Sequence, residues 1–116
     1  MPAEAVAQME RAAALSPDPN TMASLAHAYG IAGQKEKAHK ILEDLQGQAK
    51  KENISGYQFA VIFVGLGEQE KALAELEKAF KERSTLLGYI RMDPRFDPIR
   101  SDARFVDIQR RIGLPQ

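Results

Sequence analysis

Apolar and polar positions along this chain recur at helical spacing, and they are densest in YQFAVIFVGLG, residues 57–67. Between Tyr57 and Leu66 the one polar side chain is Gln58. Periodicity alone does not separate a strand from a buried helix in so short a run. Ser55 as an N-cap upstream, Gly67 as a left-handed stop downstream, and the lack of a turn signal before Gly65 predict a helix. Phe59, Ala60, Phe63 and Leu66 then form one apolar stripe, with Ile62 at its margin, and Tyr57, Val61 and Val64 form a second. A helix apolar nearly all round must be covered on several sides, so this is expected to be the central helix of a helical stack.

The same spacing predicts a helix over residues 3–15, with Ala5, Met9, Ala12 and Leu15 near one face, broken by Ser16-Pro17-Asp18-Pro19-Asn20. Further helices are expected over 21–32, stopping at Gly33, and over 35–51, with Ala38, Ile41, Leu42 and Leu45 inward. Another covers 68–83 and carries Ala72, Leu73, Leu76, Ala79 and Phe80 on its apolar face. In the tail, Ser84 can cap a short helix through Tyr89 and Ile90, and Asp93-Pro94 and Asp97-Pro98 each read as an N-cap followed by a first-turn proline. A last helix over 102–112 turns Phe105, Ile108 and Ile112 inward and closes with Gly113 and Pro115.

Shifted by 34 residues, the chain overlays itself. Ala26 meets Ala60, Tyr29 meets Phe63, Gly33 meets Gly67, Glu36-Lys37-Ala38 meets Glu70-Lys71-Ala72, and Leu42 meets Leu76. A fixed period of this length marks a helical repeat array. Small residues at Ala26, Ala60, Ala38 and Ala72 let helices approach closely, and Gly33 and Gly67 supply the positive φ of a tight helix–helix turn.

The elements Leu25-Ala26-x-x-Tyr29 and Phe59-Ala60-x-x-Phe63, each followed by Ala38-x-x-x-Leu42 or Ala72-x-x-x-Leu76, resemble the tetratricopeptide repeat family. The family's tryptophan is replaced by Met22 and Gly56, and the stretch from Pro17 to Ala26 is one residue short. The resemblance implies an all-α stack of antiparallel helix pairs, an α-solenoid with a C-terminal capping helix. Its division is the second helix of a partial repeat over 1–18, repeats over 19–52 and 53–83, and a degenerate pair with a cap over 84–116. The tail is similar to the C-terminal end of bacterial arrays of this kind that follow signalling or regulatory domains.

Composition narrows the function. A chain of 116 residues fits one domain, and its formal net charge of zero sets up no global field for nucleic acid or an anionic membrane. There is no cysteine, no apolar run long enough to cross a bilayer and no basic start leading into an apolar segment, so a cytoplasmic protein is expected. His27 and His39 do not fall at metal-ligand spacing, and no cofactor or metal is expected. Asp93, Asp97 and Asp102 could pair as acid and base, but each stands where a helix cap belongs, so no catalytic residue is assigned. Six arginines between Arg91 and Arg111 face four aspartates and are expected to pair with them. Lys35, Lys37, Lys40, Lys50 and Lys51 read as a solvated helix face.

The candidate site is the inner, concave surface, which in the family is lined by the first helix of each repeat. Here that surface would carry Asn20, Ala23, His27 and Ile31, then Ile54, Tyr57, Val61 and Val64. Ala23 and His27 stand where chaperone-tail-binding members carry Lys and Asn, so a carboxylate clamp is not expected. His27, Ile31, Ile54, Tyr57, Val61 and Val64 are therefore read as a groove for an aliphatic or aromatic segment of a protein or peptide. Two other readings stay open for Tyr57, Val61 and Val64: the chain's own tail covers them, or a second copy does, making the domain a homodimer. The expected function is non-catalytic protein–protein interaction.

Overall fold

The computed structural model describes residues 2–49, 51 and 54–113, and these form an all-helical structure. The α-helices are α1 (Pro2–Leu15), α2 (Pro19–Ile31), α3 (Lys35–Gln48), α4 (Gly56–Gly65), α5 (Gln69–Lys81) and α6 (Ala103–Ile112). Two 3-10 helices, η1 (Thr85–Tyr89) and η2 (Pro94–Ile99), lie between α5 and α6. No described helix is long and apolar enough to cross a membrane.

Local chemistry sets the boundaries. Asp18 caps α2 by accepting from the Thr21 backbone N–H at 2.9 Å, with Pro19 opening the first turn. Ser55 caps α4 in a capping box, and Gln58 Oε1 accepts from the Ser55 backbone N–H at 3.0 Å. Ser84, Asp93 and Asp102 cap η1, η2 and α6, each side chain accepting from the backbone N–H two residues on. Asp97-Pro98 departs from expectation. It lies inside η2 and starts no helix, and Asp97 pairs with Arg100 instead. Helix α3 stops at Gln48, short of Lys51, while Lys50 and Pro115 fall outside the described residues.

The sequence period reappears as repeated hydrogen bonding. Gly33 and Gly67 have φ of +84° and +76°. The next N–H donates back to the carbonyl five residues earlier in both cases, Gln34 to Tyr29 at 2.8 Å and Glu68 to Phe63 at 2.9 Å. These are Schellman closures, which satisfy carbonyls that the helix end leaves open. Ser84 donates to Ala79 at 3.0 Å in a third copy, where Arg83 takes the left-handed place with φ of +56°. Lys37 lies over the Tyr29 ring at 5.4 Å and Lys71 over the Phe63 ring at 5.8 Å, one period apart.

Helix α4 is the centre of the core, with every residue from Gly56 to Gly65 buried. It packs on α5, α2, η2 and, more lightly, α3. Two of its contacts need glycine for closeness. A Cβ on Gly56 would stand 2.5 Å from the Glu75 carbonyl oxygen of α5, and one on Gly65 would stand 2.6 Å from the His27 carbonyl oxygen of α2. Gly30 of α2 faces Gly65 from the other side and is blocked by the Gly65 carbonyl in the same way. The α2–α4 crossing is thus a backbone-to-backbone contact.

Helix α1 differs from the sequence reading. Its inward residues are Val6, Met9 and Ala13, whereas Ala5 and Leu15 are exposed and Ala12 is half-buried. Tyr29 of α2 ties α1 down by donating its hydroxyl to Glu10 at 2.7 Å. Burial first, and the bond to Glu10 second, push the Tyr29 phenol up to about 12.

Substitutions at three glycines separate these roles. Gly47→Ala, on an exposed part of α3 with open space around it, should stabilise by about 0.5–1 kcal/mol. Gly30→Ala should cost about 1–3 kcal/mol because α2 and α4 must move apart, and Gly67→Val should cost more than about 1 kcal/mol through its positive φ. Denaturant midpoints of the three variants check this, and a neutral Gly30→Ala would contradict the close crossing.

Candidate interaction surface

The second apolar stripe of α4 is buried, and the tail covers its Tyr57. Tyr57, Val61 and Val64, expected to line an open groove, are 1%, 0% and 5% exposed. Phe96 of η2 meets the Tyr57 ring edge-on at 5.1 Å and lies against Phe105 of α6 at 5.7 Å. These three groove residues are core positions rather than an open groove, and for Tyr57 the cover is the chain's own tail. The physical reason is the apolar circumference of α4, which needs a fourth neighbour that the repeat itself does not supply.

A polar network fastens that neighbour. The Tyr57 hydroxyl donates to Asp93 Oδ2 at 2.6 Å. Arg95 donates to both Asp93 oxygens, with Nη2 at 2.6 Å from Oδ2 and Nε at 2.9 Å from Oδ1. Its Nη1 reaches across to Ser24 Oγ on α2 at 2.7 Å. His27 Nε2 lies 3.2 Å from the Arg95 carbonyl oxygen, to which its N–H donates. Ser24 and His27 of α2 therefore help to hold the tail.

The electrostatics follow from this packing. Burial alone would raise the Asp93 carboxyl, but the hydrogen bonds from Arg95 and Tyr57 together outweigh it and hold it below the ordinary range. At neutral pH it is an acceptor with no proton to give. Burial, and then the bond to Asp93, push the Tyr57 phenol well above its usual value. Burial also lowers His27 despite the bond to the Arg95 carbonyl. Beyond this network the tail arginines pair locally: Arg100 with Asp97, Arg104 with Asp102, and Arg110 and Arg111 with Asp107. Arg104 and Arg111 also reach Glu70 and Glu77 on α5 and so clamp α6 to it. Among the described residues no group of three or more His, Asp and Glu side chains converges as a metal site would require.

What remains open lies beside this network. His27 and Ile31 line an apolar cleft of about 290 Å³ with Pro2, Ala5 and Met9 of α1, Ser24 and Ala28 of α2, and Arg95 at its edge. Ile31 is 49% exposed, unusual for an aliphatic side chain on a core helix. Ile54 is half-buried against the core and borders neither this cleft nor the tail network. A second cleft, about 440 Å³, is lined by Leu86, Tyr89, Met92, Asp93 and Pro94 of the tail with Asn20 and Tyr57, and there Tyr89 and Met92 are exposed. The sequence reading did not single out Arg95 or the Asp93–Tyr57 bond. Its one available signal was a phenol on an apolar stripe, which needs a partner when buried.

Because the stripe is covered from within, Val61→Glu should unfold the domain, costing several kcal/mol for a buried unpaired charge. A thermal melt reads this directly, and a folded variant would mean that Val61 is not in the core. Stability should also fall with acid in two stages. His27, lowered from 6.5, lets the unfolded chain take up a proton first, so stability present above 6.5 declines as pH drops through the folded value. Asp93, lowered from 3.8, contributes stability above 3.8 that is lost as pH falls through its own lower value. Melts from pH 8 to 3 should show both stages, and His27→Gln, which keeps an N–H donor, should remove the part of the upper stage that belongs to that ring.

Compared with protein-family models, curated proteins and solved structures, the chain finds no match in any of the three.

Proposed function

We propose that this chain is a tetratricopeptide-like stack of antiparallel helix pairs acting as a non-catalytic protein-interaction module, cytoplasmic and part of a larger regulatory or signalling system. The repeated Schellman closures at Gly33 and Gly67 and the repeated lysine-over-ring contacts support the stack. The observation that carries the interaction reading is the open apolar cleft at His27 and Ile31. An exposed isoleucine flanked by Met9 and Ala5 on a neighbouring helix favours burial by something apolar. The aspartates that might have done acid–base work are engaged as caps and arginine partners, which favours a binding role over a catalytic one. The alternative is self-association through the same cleft.

A photo-cross-linking residue in place of Ile31 should capture a discrete protein in cells, whereas the same residue in place of exposed Val106 on α6 should not. The isolated chain should sediment as a monomer. Equal capture at both positions would remove this reading, and a dimer dissociated by Ile31→Glu would replace it with self-association.

A further inference from the structure

The chain's own repeat says what kind of object the cleft fits. Adding the 34-residue period to its α2 residues Ser24, His27, Ala28 and Ile31 gives Gln58, Val61, Ile62 and Gly65 of α4. All four are buried, and Gly65 lies directly against the backbone of α2 at His27. The face that α4 presents to the preceding helix is thus the face that α2 presents to the cleft.

The α1 wall leads to the same place independently. With the one-residue shortening between Pro17 and Ala26, Ala5, Met9 and Ala12 correspond to Ala38, Leu42 and Leu45 of α3. Those three are buried, and α3 packs chiefly on α2. In α1 the equivalent Ala5 is exposed and Met9 and Ala12 are half-buried. The face of α1 that is apolar by sequence but uncovered is the one a preceding helix would occupy.

The geometry points to the cleft between α1 and α2 as a seat for one amphipathic α-helix of a partner polypeptide, held as α2 is held between α3 and α4. This rests on the interaction reading above and names its ligand class. The helix lays an apolar stripe at i, i+3, i+4 and i+7 spacing against Met9, Ala28 and Ile31. It stands farther from α2 than α2 stands from α4, because Ile31 occupies the place where Gly65 permits backbone contact. A second copy of this chain has no such helix to offer. Its large exposed apolar residues are Leu15, Ile31, Tyr89, Met92 and Val106, and no two of them share a described helix.

The test tethers a probe helix to the full chain. A copy of residues 19–32, the sequence that fills the equivalent seat one repeat later, is joined to the N-terminus through a Gly/Ser linker, which holds it at millimolar effective concentration. The fused chain should melt about 4 °C or more above the parent, and NMR shifts should concentrate at the methyl groups of Met9, Ala28 and Ile31. A scrambled copy should give neither effect, and Ile31→Glu in the fused chain should cancel both. No rise, or an equal rise with the scrambled copy, overturns the helix seat. So does a parent that sediments as a dimer and is dissociated by Ile31→Glu, since the occupant is then a second copy. If the tethered helix fails while cross-linking at Ile31 still captures a protein, the interaction reading stands and only the helical ligand is wrong.

Discussion

Helix α4 has no side that water can wet, and the rest of the molecule is arranged by that fact. Two neighbours come from the repeat pattern: α5 closes on Gly56 and the Phe59–Ala60–Phe63 side, and α2 crosses at Gly65. The stripe of Tyr57, Val61 and Val64 would still face outward, and burying three such side chains is worth several kcal/mol by area alone, on the order of 2 kcal/mol each. For Tyr57 the tail supplies that cover through Phe96. Burying Tyr57 creates a second requirement, a partner for its hydroxyl, which Asp93 meets. Burying Asp93 creates a third, a cation, which Arg95 meets while also reaching Ser24. Satisfying one phenol thus fixes the course of the chain from Asp93 to Phe96 and ties it to α2.

How much of this was legible in the sequence follows from how local each cause is. Ser55, Ser84, Asp93 and Asp102 cap neighbours two or three residues away, and Gly33 and Gly67 stop helices through their own φ, so those features were readable from a few consecutive letters. The inward faces of α3 and α5 were readable because each has one dominant apolar stripe. The tail over α4 was not readable, because Phe96 and Tyr57 are 39 positions apart and nothing in either neighbourhood names the other. Gly30 and Gly65 carried no signal of their own, since a glycine inside a helix pattern reads as a weakness until the opposing backbone is seen. In α1 the sequence stripe and the buried face disagree. Ala5 and Leu15 belong to a surface that the described chain leaves exposed and Ala12 is covered only in part, while Val6 and Ala13 are buried or packed against the core.

The two 34-residue sequence units keep the same turns yet differ at matched positions of α2 and α4, and the differences follow the surroundings of each helix. His27 corresponds to Val61, and Ser24 to Gln58. Val61 lies on the face of α4 that meets α2 at Gly65 and is fully buried. His27 and Ser24 meet the polar side of the tail, the Arg95 carbonyl and guanidinium, and are hydrogen-bonding residues accordingly. Ile31 against Gly65 is the remaining difference. Glycine stands where a backbone presses, and a bulky aliphatic residue stands where no described part of the chain does.

These differences make the two ends of the stack unlike each other. At the α6 end, Phe105 and Ile108 turn inward, while Arg104, Arg110 and Arg111 form a charged rim paired with Glu70, Glu77 and Asp107. Another helix could be added there only by breaking those pairs and burying their charges, a desolvation penalty that attraction seldom recovers. At the α1–α2 end, an added helix would cover Met9 and Ile31 and would need to displace only water. Arg95, the charged residue among the described residues lining that cleft, is already paired with Asp93. The two ends thus differ in kind among the described residues: paired charges rim α6, while uncovered aliphatic side chains border α1 and α2.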